Sequence, residues 1–194
     1  MILADMRALV RRDLMDESEA ARFTDDQIDR AIARALIELS KYKPQEMMST
    51  LETVSGSYEV DISSLTDRIS IDKVEFPIDQ SPRQYVRFAV YADTLTLLDI
   101  QGDGNDCNIY WSSPHSLTAE ASTIPTHLEN LVALGATAYA ALSISQYSTD
   151  KANYGGENVD RDYLYWAKGR LMDFEAQLKK LKRKVKTNVM YLED

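Results

Sequence analysis

The sequence is poor in the residues that carry most enzyme chemistry. It has one cysteine and two histidines in 194 residues. The single Cys107 excludes an intrachain disulfide framework, and a reducing compartment is the default expectation. His115 and His127, with that one thiol, make no zinc spacing. A Cys–His nucleophile would need an activated thiolate, and Cys107 has no activating neighbours in sequence. No apolar run approaches the ~18 residues of a membrane span. Met1-Ile2-Leu3-Ala4-Asp5 lacks a basic stretch followed by an apolar core, which argues against a signal peptide. There is no internal repeat and no low-complexity tract.

Glycine motifs are equally thin. Gly102-x-Gly104 lacks the third glycine and the helix of a dinucleotide fingerprint, and neither a Walker motif nor Gly-x-Ser-x-Gly is present. Asp99-x-Gln101-x-Asp103-Gly104 has the outline of a calcium loop. It fails at the third position, and again at the twelfth, where Tyr110 replaces a bidentate glutamate. A tight turn between strands is the better reading, because Gly and Asp punctuate hairpins. No catalytic site, metal site or cofactor is expected.

Basic charge is scarce outside one place. The chain carries a net −9 at pH 7, yet Lys179, Lys180, Lys182, Arg183, Lys184 and Lys186 crowd together near the end. Removing those six charges leaves −15 on everything else. Such a body repels a duplex and excludes non-specific nucleic-acid adsorption. The basic run is either a solvated helix end that complements the dipole terminus, or a docking element for an acidic surface or DNA. Aromatics are skewed to 11 Tyr against 4 Phe and 2 Trp. That excess suits either subunit interfaces or the rim of a modest core, since a tyrosine packs its ring and keeps its hydroxyl wet.

What is present is helix patterning at both ends and strand patterning between them. Leu3, Met6, Leu9, Val10 and Leu14 make one face of a short helix, and Asp16 to Arg22 reads as a polar connector. Phe23-Thr24-Asp25-Asp26-Gln27-Ile28 then holds a capping box (Thr24, Gln27) and a hydrophobic staple (Phe23, Ile28). Asp25 and Asp26 sit at the positive dipole end, and Ile28, Ala31, Ile32, Ala35, Leu36 and Leu39 form the apolar stripe, to about Tyr42. From Glu52 the period is two. Ser55-Gly56-Ser57 is a hairpin signal between Val54 and Tyr58–Ile62. The parity slip at Asp72-Lys73 predicts a bulge or turn. Pro77 and Pro82 bracket a loop, and Tyr85–Tyr91, Thr94–Ile100 and Asn108–Ser112 read as further strands.

A long helix starts near Ile124-Pro125-Thr126, where Thr126 and Glu129 repeat the capping-box pattern. It is rich in small residues (Ala133, Gly135, Ala136, Ala138, Ala140, Ala141) and breaks at 148–158. The last helix, from about Val159 to Lys186, has a seam of Leu164, Ala167, Leu171, Phe174, Leu178, Leu181 and Val185. The fold class is therefore α+β: N-terminal helices and a long C-terminal antiparallel helical hairpin, with an inserted, mostly antiparallel β region. The helical core is assigned to 1–50 and 113–186, the β-rich insertion to 51–112 and a tail to 187–194.

The stretches from Phe23 through Ile32, Leu36 through Pro44, Ser122 through Pro125 and Leu131 through Ala141 resemble the head–tail connector (adaptor) proteins of tailed double-stranded DNA bacteriophages. The resemblance implies a structural virion protein, and with no catalytic cluster in the sequence no enzymatic activity is expected. It would assemble as a ring, often twelve-fold, beneath the portal, extend the DNA channel and offer a platform to a tail or second head-completion protein. DNA would pass through the lumen without specific binding. The protein would lie in the virion neck, and in the host cytoplasm during assembly. A portal-docking arm is expected at Lys179, Lys180, Lys182, Arg183, Lys184, Lys186, Val189, Met190, Tyr191 and Leu192, because the seam outruns the preceding helix and the tail supplies apolar anchors. The competing readings are a cytosolic scaffold or regulator binding a partner through the C-terminal hairpin, and a hydrolase built on carboxylates distant in sequence.

Overall fold

A computed structural model describes residues 1–18, 21–147 and 159–181. The chain divides into two compact units. One takes Met1–Lys43 together with the segment from His115 to the end of the last helix; the other takes Pro44–Pro114. The fold is α+β, with four α-helices among the described residues and antiparallel pairing at every strand contact.

In the helical unit, α1 is Leu3–Asp13 and α2 is Asp25–Tyr42. Met6, Val10 and Leu14 are buried, and Leu3 and Leu9 pack at the margin of the same core. The α2 entry forms as its residues require. The Gln27 N–H donates to Thr24 Oγ1 at 3.3 Å, and the Thr24 N–H donates to Gln27 Oε1 at 3.0 Å. Phe23 and Ile28 are both buried in the helical core. The connector is organised around one carboxylate. Asp16, only 4% exposed, accepts from the Arg22 N–H at 2.6 Å, the Phe23 N–H at 3.2 Å and Arg11 Nη1 at 3.0 Å.

A 3₁₀ turn, Thr126–Leu128, leads into α3, Glu129–Tyr147. The second capping box does not form. Leu128 is buried and its N–H closes a tight turn onto the Pro125 carbonyl at 2.8 Å, so the α-helix begins at Glu129 itself. The Glu129 carboxylate accepts instead from the Met1 amino group at 2.7 Å. The small residues of α3 do admit a close neighbour, but it is a ring. A Cβ on Gly135 would stand 2.7 Å from atoms of Phe174. Phe174 belongs to α4, Val159–Leu181, and meets Tyr139 edge-on with centroids 6.1 Å apart. The Arg34 guanidinium of α2 lies 4.1 Å from the same Tyr139 ring, so one tyrosine ties three helices together. Ala167, Phe174 and Leu178 of the predicted seam are buried, Leu164, Leu171 and Leu181 half-buried, and Val185 lies outside the described residues.

In the β unit the strands are β1 Gln45–Glu52, β2 Glu59–Asp61, β3 Ser70–Glu75, β4 Tyr85–Val86, β5 Phe88–Tyr91, β6 Thr94–Leu97 and β7 Asp106–Ser113. They form one sheet in the order β1-β7-β3-β4 and another in the order β2-β6-β5. The register of β3 on β7 shifts between Ile71 and Lys73, the irregularity that the parity slip predicts.

Several strand boundaries and connections differ from the sequence reading. β1 starts at Gln45, well before the change of period at Glu52, so residues 45–50 belong with the sheet and not with the helices. All eight residues of β1 pair with β7, and Ser113 pairs with Gln45, so β7 also runs past 112. The turn at Ser55-Gly56-Ser57 exists, with Gly56 at φ +75°, but it joins strands of different sheets and makes no hairpin. The stretch Tyr85–Tyr91 is two strands. At Arg87 the backbone N–H goes to the Asp99 carboxylate, and the chain leaves one sheet for the other.

Candidate functional site

The predicted docking arm begins where the described residues end. Lys179 and Lys180 are exposed in the last turn of α4, while Leu178 beside them is buried. Lys182, Arg183, Lys184, Lys186, Val189, Met190, Tyr191 and Leu192 lie outside the described residues. Two lysines at a helix C-terminus complement its dipole, and the apolar seam reaches them in a folded helix.

The residues screened for chemistry have structural occupations. Cys107 is buried in β7 between core neighbours; burial first, then Asp106, pushes its thiol up to about 11, which makes it a poor nucleophile. His115 is also buried, as a bracket at the mouth of the helical unit. Its Nε2 lies 2.9 Å from the Lys43 carbonyl and its Nδ1 3.2 Å from Thr123 Oγ1, while its backbone N–H donates to Ser40 Oγ at 2.9 Å. A carbonyl only accepts, so the neutral ring carries its proton on Nε2. Burial holds this imidazole below its ordinary value. His127 is exposed on the 3₁₀ turn.

The Asp/Gly segment is an irregular connection from β6 to β7 whose carboxylates bond within the chain. Asp99 is held by the Arg87 guanidinium, with Nε 2.8 Å away, and that contact keeps its carboxyl below the usual range. Asp103 accepts from the Asn105 N–H at 3.0 Å. Gly102 is there for close approach: a Cβ would sit 2.7 Å from the Val54 carbonyl oxygen. Its N–H donates to Ser57 O at 2.7 Å and its carbonyl accepts from the Gly56 N–H at 2.8 Å, zipping two loops together. Among the described residues no group of three or more His, Cys, Asp and Glu is placed to hold a metal ion.

The sheet also assembles a cluster that the sequence reading missed. Glu75, 3% exposed, lies opposite Asn108 in the β3–β7 register. Its Oε2 accepts from the Tyr110 hydroxyl at 2.6 Å, and Arg83 Nε stands 3.7 Å from its Oε1. Arg83 Nη1 also donates to the Tyr110 hydroxyl at 2.9 Å, and Tyr85 meets Tyr110 edge-on at 6.2 Å. Burial, then the hydrogen bond to Glu75, pushes the Tyr110 phenol up to about 12. The only signals in the sequence were single polar residues in strands, and no spacing rule links Glu75 to a residue 35 positions away.

No protein-family model matches the chain, and no curated protein matches it. Function rests on the geometry and on the resemblance already described. The geometry bears on the hydrolase reading through the buried carboxylates. Asp16, Glu75 and Glu129, each under 9% exposed, face Arg11, Arg83 and the Met1 amino group respectively. Each of these carboxylates is thus engaged by a cation within the chain. No helix among the described residues is long and apolar enough to cross a membrane.

Proposed function

We propose that this chain is a head–tail connector protein of a tailed double-stranded DNA bacteriophage, joining the head to the tail as a ring under the portal. The observation that carries the reading is the arrangement of the segments behind the resemblance. The capped helix α2 and the small-residue helix α3 pack together in the helical unit, and the β unit is inserted between them as Pro44–Pro114. The buried carboxylates Asp16 and Glu75 each face an arginine, which is compatible with a structural role. In this reading α3 and α4 form an antiparallel hairpin, sealed where Phe174 fills the hole at Gly135.

The arm from Lys179 through Leu192 docks on the portal, with Lys179, Lys180, Lys182, Arg183, Lys184 and Lys186 steering toward acidic groups and Val189, Met190, Tyr191 and Leu192 as anchors. The acidic remainder of the chain suits a channel that DNA must traverse without sticking. The partners are the portal, other copies of the chain and a tail-side protein; the location is the virion neck.

Mixing the purified protein with portal rings and imaging them in negative stain tests the reading. Added ring density on one face of the portal is expected. Rings that stay bare at saturating protein would sink it. Deleting 179–194 should abolish that density and leave the melting transition nearly unchanged. Normal binding by the truncated chain would show that the arm is not the docking element.

A further inference from the structure

Helix α4 carries two apolar seams, and only one is packed against other described residues of the chain. The inward seam is Ala167, Phe174 and Leu178, flanked by Leu164 and Leu171. At about 100° per residue, the opposite side of the helix presents Tyr165, Gly169, Met172 and Ala176. Tyr165 is 63% and Met172 71% exposed, and Gly169 and Ala176 are exposed too. Their spacing of four, three, four is that of alternating a and d positions, with the small residues at a and the large ones at d.

Gly169 is the anomaly. A glycine inside a helix is destabilising relative to alanine. The other glycine in a helix among the described residues, Gly135, is explained by a neighbour that fills its place. Around Gly169 nothing lies within 4 Å of where a Cβ would be.

We propose that α4 binds the α4 of a second copy in an antiparallel pair centred between Arg170 and Leu171. In that register each large residue faces a small one. Tyr165 lies over Ala176 of the other copy, and Met172 lies over its Gly169, so the two a/d stripes interlock along about 16 Å. The charges agree with the same register. Lys168 and Glu175 border the stripe on one flank, at the g positions, and g meets g in an antiparallel pair. Lys168 of each copy therefore comes beside Glu175 of the other, twice by symmetry. A parallel pair would set Tyr165 against Tyr165 and Gly169 against Gly169, leaving one layer overfilled and the next empty. The contact is isologous and closes as a dimer. It is small beside the ~800 Å² per partner of a standard interface, so a weak, micromolar dimer is the result. The proposal does not depend on the connector reading, because it concerns the free protein without a portal.

Sedimentation of the full chain through the micromolar range is the test. A monomer–dimer equilibrium is expected. Met172→Glu should abolish it while leaving the circular dichroism spectrum unchanged. Lys168→Glu should weaken it at least about tenfold, and adding Glu175→Lys should restore it. Orientation is read separately by oxidation. Tyr165→Cys mixed with Ala176→Cys should give a disulfide-linked heterodimer, with neither variant linking to itself; the native Cys107 is buried and does not compete. A wild type that stays monomeric throughout would overturn the proposal. So would dimerisation that survives both Met172→Glu and Lys168→Glu, and self-linking of Tyr165→Cys would mean a parallel pair and overturn the register.

Discussion

Two glycines in helices behave oppositely because of what stands beside them. At Gly135 an added methyl would press into the Phe174 ring at 2.7 Å. Gly135→Ala should therefore lose about 1–3 kcal/mol by overpacking, despite the better helix propensity of alanine. At Gly169 the space is open, and Gly169→Ala should gain up to about 1 kcal/mol in the monomer. Urea unfolding of the two variants side by side checks the pair; equal signs would refute the assignment of Phe174 to the Gly135 hole. His115 gives a pH signature. Burial lowers its folded pKa below the unfolded 6.5. Below about pH 6.5 the unfolded chain takes up a proton that the folded chain resists, so stability is full above that pH and falls as acid is added. His115→Gln should start less stable and lose less between about pH 7 and 5.5, as read by thermal melts.

At the scale of the element, identical sequence patterns met different fates. The Thr24/Gln27 box forms with both hydrogen bonds, and Thr24→Ala should cost about 1 kcal/mol. The Thr126/Glu129 box does not form, and exposed Thr126→Ala should change stability by no more than about 0.5 kcal/mol. Melting curves of the two alanine variants distinguish these outcomes. The difference lies in competition: Leu128 is drawn into the core and tightens the chain into a 3₁₀ turn, and Glu129 has the Met1 amino group as a stronger partner. Strands show the same dependence on context. Val54 to Ile62 has hairpin chemistry, but β1 and β2 each find longer-range partners, and their turn spans two sheets.

At the scale of the whole chain, the two residues of the helical unit that flank the segment 44–114 lie together. Lys43 and His115 are joined by the 2.9 Å contact from Nε2 to the carbonyl, and Ser40 receives the His115 N–H. Excising 44–114 and closing the gap with a short Gly/Ser linker should leave a helical protein that melts cooperatively, measured by circular dichroism, since short loops cost little closure entropy. A chain that stays unfolded would show that the helical core needs the β unit.

Local periodicity and capping determined the helices. The stripe of α2 and the inward seam of α4 are properties of residues three and four apart, and hydrogen bonds within a few positions fix where α2 starts. The register slip in β3 was legible for the same reason, because alternation is local. Composition alone excluded an intrachain disulfide framework. Only the tertiary structure decided what those surfaces meet. That β1 starts at Gln45 depends on β7, some sixty residues away, offering eight pairing positions. That Glu75, Tyr110 and Arg83 converge depends on a sheet register. Likewise, that Gly135 is filled while Gly169 stands open depends on which side of α4 the core takes, since a sequence records what a residue is and packing decides who its neighbour will be.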